Sequence, residues 1–282
     1  MRNLWSLIFF FSFCSACFYL EATIVGNPAE LAFLKDGIFS EKKRAVTLRF
    51  GYYFENIYKF KFRDEIINDE AINNVTDTVN PPSSIIQLKT NSAIVTLNIK
   101  RFLEVYGLVG QSRLRIEEKE IDSDSTFSTQ HNLSWGAGVK ITVFKYKGLS
   151  MGADGKYFQT RQVADFLIAN KYPALIATDD FSFIYEESQG SIAFSYEIDI
   201  FTPYIGGTYL RASINPSPRK GVVYLSFDPE YPREFECNTS HNVNRWGLII
   251  GTSIVSGEKI SINLESRMFD QNSVNISAEV CF

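Results

Sequence analysis

The strongest constraint on this chain is a period of two that returns along nearly its whole length. At the end of the sequence Val274, Ile276, Ala278, Val280 and Phe282 alternate with Ser273, Asn275, Ser277, Glu279 and Cys281. Just before, Ile260, Ile262, Leu264 and Met268 oppose Lys259, Ser261, Asn263, Glu265 and Arg267. Earlier segments repeat the pattern. Val46, Leu48, Phe50, Tyr52 and Phe54 oppose Arg49, Gly51 and Tyr53. Val95, Leu97 and Ile99 oppose Asn98 and Lys100. Tyr106, Leu108, Leu114 and Ile116 oppose Gln111, Arg113 and Arg115. Trp135, Val139 and Ile141 oppose Lys140 and Thr142, and Ile192, Phe194, Tyr196, Ile198 and Ile200 oppose Glu197 and Asp199. Successive side chains of a strand point to opposite faces, so each segment is a strand with one apolar and one polar side.

About twelve such segments can be marked (range 10–16), most of them ~10 residues or longer, the length a tilted membrane strand needs. Lys147-Gly148, Ser256-Gly257 and Asp270-Gln271-Asn272 read as tight turns, and residues 64–84, 117–131 and 228–245 as longer polar loops. Arg161 to Asn170 is the one helical candidate, with Val163, Phe166 and Leu167 at helical spacing. The expected fold is all-β: an antiparallel up-and-down barrel with short turns at one end and longer external loops at the other.

A sheet with an apolar face must cover it, with a second sheet in a soluble sandwich or with lipid in a membrane barrel. Alternation alone fits both. Three features favour lipid. The strands are long against the ~5–6 residues usual in soluble sheets. The sequence ends at Phe282, in register with the apolar face of its last strand. The N-terminal segment reads as a signal sequence that exports the chain. An aromatic share of 15% is what the girdles of a membrane barrel need, and a soluble protein can carry it too. The mean hydropathy of −0.07 is too low for a bundle of membrane helices. A net charge of −4 argues against nucleic acid as a partner.

Arg2 followed by the apolar run Leu4 to Phe13 reads as a secretory signal, with cleavage expected after Leu20-Glu21-Ala22. Residues 1–22 are then the signal peptide and 23–282 a single barrel domain. A membrane anchor and lipoprotein processing at Cys17 are the competing readings. Cys14 and Cys17 leave with the signal. Cys237 and Cys281 remain in an oxidising compartment, where a disulfide could form within the chain or between chains.

Enzyme chemistry has little support. His131 and His241 are the only histidines, and neither has a ligand neighbour at metal-binding spacing. No cofactor, metal site or catalytic set is expected. Function is expected in the polar face, directed inward. That assignment makes Arg49, Lys100, Arg113, Arg115, Lys140, Lys259 and Arg267 candidate pore-lining charges, with Glu197, Asp199, Glu265 and Glu279 among their acidic counterparts. The basic excess predicts a mild anion preference.

Several motifs resemble the chlamydial major outer membrane protein family. Ile24-Val25-Gly26-Asn27-Pro28-Ala29-Glu30 resembles the family's opening, and Arg49-Phe50-Gly51-Tyr52-Tyr53 its first strand. Ala93 to Lys100 with Arg101-Phe102 is similar to its next strand pair. Ile200-Phe201-Thr202-Pro203-Tyr204-Ile205-Gly206, running on to Arg211-Ala212-Ser213, is the closest match, and the final hairpin to Phe282 fits too. The resemblance implies a porin that passes small hydrophilic solutes or ions through the outer membrane. It also implies that Phe282, Val280, Ala278 and Ile276 form the C-terminal signal read by the barrel-assembly machinery. A homotrimer is among the assemblies left open. A non-channel surface barrel, adhesin or structural envelope barrel is the alternative. The chain is shorter than the family and poor in cysteine, which puts a disulfide-linked structural role in doubt.

Overall fold

The computed structural model describes residues 27–28, 46–64, 83–99, 102–119, 124–169, 172–176, 181–225, 228–236, 238–256 and 260–281. The expected signal segment, Lys100, Cys237, Lys259 and Phe282 lie outside them. The described residues form fifteen strands and no helix. In order they are β1 (Val46–Asp64), β2 (Ser83–Ile99), β3 (Leu103–Lys119), β4 (Asp124–Thr129), β5 (Asn132–Tyr146), β6 (Leu149–Ala169), β7 (Tyr172–Ile176) and β8 (Ser182–Tyr196). Then follow β9 (Phe201–Ser217), β10 (Lys220–Leu225), β11 (Asp228–Glu236), β12 (Ser240–Asn242), β13 (Trp246–Ser256), β14 (Ile260–Met268) and β15 (Asn272–Cys281).

Ten of these strands close a ring. Antiparallel pairing runs β1–β2–β3–β5–β6–β8–β9–β13–β14–β15 and returns from β15 to β1, where Arg49 to Lys59 pair with Cys281 to Asn272. Closure leaves the ring without an edge strand, so its backbone groups find partners on both sides without water. β7, β10 and β11 branch from the upper end of β6, and among the described residues β11 is paired on one side only. Ten lies at the low end of the expected range.

The two ends differ. At one, Phe102, the Lys147-Gly148 pair and residues 197–200 make short turns. Lys147 and Gly148 both have positive φ, 47° and 84°, as a two-residue hairpin of this hand requires. At the other end the connections are long, except that β14 and β15 are joined by Phe269 to Gln271. The wall is uneven there: β1 has 19 residues and β6 has 21, but β14 only nine.

The tall strands continue into a second, narrower ring. Above β5, β4 fits between β3 and β6; above β13–β15, β12 fits between β9 and β1. The upper storey therefore closes as β1–β2–β3–β4–β6–β8–β9–β12, eight strands above ten. Part of the polar stretches expected as loops is thus strand: β4 within 117–131, and β11 and β12 within 228–245. The helix expected at 161–170 is absent. β6 runs through it, with Gln162 and Ala164 turned in and Arg161 and Val163 turned out. Membership of a closed sheet overrides the local helical spacing, since both neighbouring strands offer hydrogen bonds there.

The outward face of the lower storey carries the apolar side chains. Phe50, Tyr52, Val95, Leu97, Val105, Val109, Trp135, Val139, Ile141, Ile192, Phe194, Ile205, Ile262 and Leu264 are all exposed. A contiguous apolar band around a closed wall is the surface that a bilayer covers.

Candidate functional site: the barrel interior

The lower storey is filled by a charged network. Arg49 pairs with Glu104 at 2.7 Å and with Glu279 at 3.2 Å, and Asn98 donates to Glu104 at 3.1 Å. Higher up, Lys140 lies over the Tyr106 ring, and the Tyr106 hydroxyl donates to Asp154 at 3.1 Å. Lys156 on β6 reaches Glu187 on β8 at 3.0 Å and Glu55, across the lumen on β1, at 3.9 Å. Tyr53 and Tyr185 donate to those same two carboxylates at 2.8 and 2.6 Å. Tyr204 donates to Glu265, and Arg267 binds Asp270 and Gln189.

Apart from Tyr53–Glu55, Tyr185–Glu187 and Arg267–Asp270, the partners are on different strands, so the network ties the wall together from within. Two tyrosines lie along the inner wall over glycines of the neighbouring strand, and their hydroxyls reach the strand beyond. Gly138 leaves room for the Tyr106 ring and Gly251 for that of Tyr204, and a Cβ at either would strike the ring. All of the charged side chains are nearly inaccessible, from Arg267 at 0% to Lys140 and Asp154 at 5% exposed. The eight-stranded storey above is mainly apolar, with a few hydrogen-bonded polar side chains such as Thr129 and Gln162 among the rings. Ile57, Phe60, Phe62, Ile86, Leu88, Leu114, Ile116, Phe127, Phe158, Phe181, Phe183, Tyr185, Leu210, Ala212 and Ile214 form one buried cluster inside it. A barrel of about eight strands has an interior just wide enough for side chains to fill. The phenylalanines interlock edge to face, Phe60 on Phe62 at 4.6 Å and Phe181 on Phe183 at 5.1 Å.

The candidate pore-lining charges divide accordingly. Arg49, Lys140, Glu265 and Arg267 lie inside, as does Glu279, and the structure brings them into one network. Arg113 and Arg115 do not. They are exposed on the outer face of β3, whose inward residues are Tyr106, Leu108, Leu114 and Ile116. β3 carries its apolar side inward in the upper storey, so reading polarity as direction inverts there. Glu197 and Asp199 sit in the exposed turn after β8, where Glu197 pairs with Lys145 at 3.3 Å. The apolar residues Ile276, Ala278 and Val280 face outward on β15, and Cys281 is buried on its other face.

The sequence reading missed Glu55, Glu104, Asp154, Lys156, Glu187 and Asp270. Glu55 was legible, since it continues the inward series Arg49, Gly51, Tyr53. The charge balance reverses the expectation. Among the described residues the interior holds four basic side chains (Arg49, Lys140, Lys156, Arg267) against seven carboxylates (Glu55, Glu104, Asp154, Glu187, Glu265, Asp270, Glu279).

Comparison with known proteins follows the same line. No family model matches the chain. The major outer membrane porin of Chlamydia trachomatis serovar E is 22% identical over 393 aligned positions, covering all of both chains, and that of serovar F is 24% identical over 395. Over its whole length the chain is similar to the chlamydial major outer membrane porins, and it is shorter than they are. Its 282 residues span an alignment of 393 positions, so these relatives exceed it by insertion. It is an outer-membrane protein. Among solved structures, the outer membrane protease OmpT from Escherichia coli is 9% identical, with 90% of this chain and 97% of that one covered and a TM-score of 0.39.

Proposed function

We propose that this porin relative is a non-conducting barrel with a surface or structural role in the outer membrane. The observation behind the reading is the apolar upper storey. Eight strands converge on a cluster that includes Phe60, Phe62, Phe127, Phe181 and Phe183, and the polar lumen below meets this plug. An ion entering it would lose its hydration against mostly hydrocarbon, because the few buried polar groups there, such as Thr129 and Gln162, are already hydrogen-bonded to each other. Passive porins of 16–18 strands keep a water-filled bore; ten strands narrowing to eight do not. Function then rests on the outer wall and the long connections at the upper end. The reading carries no enzymatic step and no cofactor. Export through removal of residues 1–22 and assembly through the C-terminal strand belong to the same proposal.

A passive channel for small hydrophilic solutes or ions is the second reading, favoured by the full-length similarity to proteins named porins. Liposome swelling separates the two. Vesicles carrying the refolded chain should swell no faster than empty ones in arabinose or glucose. Swelling that slows with increasing sugar size would establish the channel instead.

A further inference from the structure

The outer wall of the tall strands does not stay apolar. On the facing strands β2 and β3 the outward pairs run Leu97 with Val105, Val95 with Gly107 and Ala93 with Val109, then Asn91 with Gln111, Lys89 with Arg113 and Gln87 with Arg115. Lipid-facing residues thus give way to amides and then to cations. Leu103, at the foot of β3, is ten residues from Arg113. That is about 33 Å along the strand, or about 25 Å along the axis at a tilt near 40°, the height of an outer-membrane apolar band. Lys89 and Arg113 therefore stand at the level of the lipid headgroups, on the long-loop side. Arg211 on β9 is likewise ten residues from Phe201, and Lys61 is exposed on the adjoining face of β1.

Like charges directly opposite each other on one face of a sheet repel. Lys89 and Arg113 are such a pair, and no carboxylate among the described residues offsets them. Arg113 Nε donates to the Thr129 carbonyl at 3.0 Å, which steadies the guanidinium and leaves its other N–H groups for a further acceptor. Arg115 beside it is half exposed and pairs with Glu117 at 3.1 Å. The opposite rim differs: Lys145 is paired with Glu197 at 3.3 Å, and Lys147 lies over the Tyr146 ring.

We propose that Lys89 and Arg113, flanked by Arg115, bind the phosphate of a lipid headgroup in the outer leaflet. Guanidinium and ammonium groups side by side suit a phosphate, one as a planar fork and the other as a point charge. The adjoining apolar band takes the acyl chains of the same molecule. The site lies outside the lumen and does not depend on whether the barrel conducts.

The test uses the full mature chain refolded in neutral detergent and diphosphorylated lipid A as the probe. Lipid A stripped of its phosphates is the comparison. Binding is read by co-elution and by the rise in unfolding temperature. The phosphorylated form should bind on the order of tenfold tighter. Lys89→Gln with Arg113→Gln should abolish that preference, Lys89→Arg should keep it, and Lys147→Gln at the opposite rim should leave it unchanged. Heat-modifiable migration on gels shows that each variant is folded, and the single variant Lys89→Gln serves if the double is not. Equal binding of the two lipids, an undiminished preference in the folded double variant, or cations covered by a second copy of the chain would each overturn the proposal.

Discussion

Arg49 on the first strand and Glu279 on the last meet across the seam that closes the barrel, Nε to Oε2 at 3.2 Å. The same guanidinium reaches Glu104 on β3 at 2.7 Å, so one side chain joins three strands. It is 1% exposed. Removing one member of such a buried set leaves the others charged and unpaired. Arg49→Met should therefore cost about 3–5 kcal/mol. The triple replacement of Arg49, Glu104 and Glu279 by Met, Leu and Leu should cost less than that single change. Urea unfolding in detergent micelles, followed by tryptophan fluorescence, measures both. A single variant as stable as the unaltered chain would contradict the seam's dependence on this contact.

A second prediction concerns fit. Gly251 lies under the Tyr204 ring, and that tyrosine's hydroxyl donates to Glu265. Gly251→Ala should displace the ring and destabilise by about 1–3 kcal/mol, as overpacking does. Gly107 also lies on a ring strand but faces open space, so Gly107→Ala should be near neutral. A shift in the urea midpoint for Gly251→Ala and none for Gly107→Ala is the expected pair of results.

The faces of the wall give a third. Leu264 points to lipid near the middle of β14, opposite Thr252 and Ile276, whereas Ser261 points inward, opposite Glu279. Leu264→Lys should cost about 2–4 kcal/mol and reduce the folded, heat-modifiable fraction after refolding into vesicles. Ser261→Lys acquires a carboxylate partner inside and should assemble better. Equal refolding yields for the two would place the faces wrongly.

Much of this fold was legible because one physical rule governs most of the lower storey. Where lipid lies outside and a polar interior lies within, polarity reports direction, and Val46 to Phe54, Trp135 to Val143 and Ile260 to Met268 are read correctly. The rule fails in the upper storey, where the wall leaves the bilayer. There the interior is mainly apolar and the outside is wet, so Leu114 and Ile116 turn in while Arg113 and Arg115 turn out. The crossover shows only as a change of phase, from apolar Val105 and Val109 at outward positions to apolar Leu114 and Ile116 at inward ones, and the inward Tyr106 and Leu108 below it blur that signal. Arg161 to Asn170 was misread for a related reason. Val163, Phe166 and Leu167 are spaced as in a helix, but the pairing of β6 with β4 and β8 is a tertiary fact. The partners of Arg49 and Lys156 come from strands far away in sequence, and no local pattern announces them.

The account rests on the apolar storey as a seal, and planar-bilayer recording of the refolded chain tests this most directly. The unaltered protein should show no steady conductance steps in molar salt. Phe60→Ser with Phe183→Ser, which removes two rings from the plug, should open small steps in a barrel still folded by its heat-modifiable migration. Reproducible ohmic steps from the unaltered chain would contradict the seal and establish an open pore.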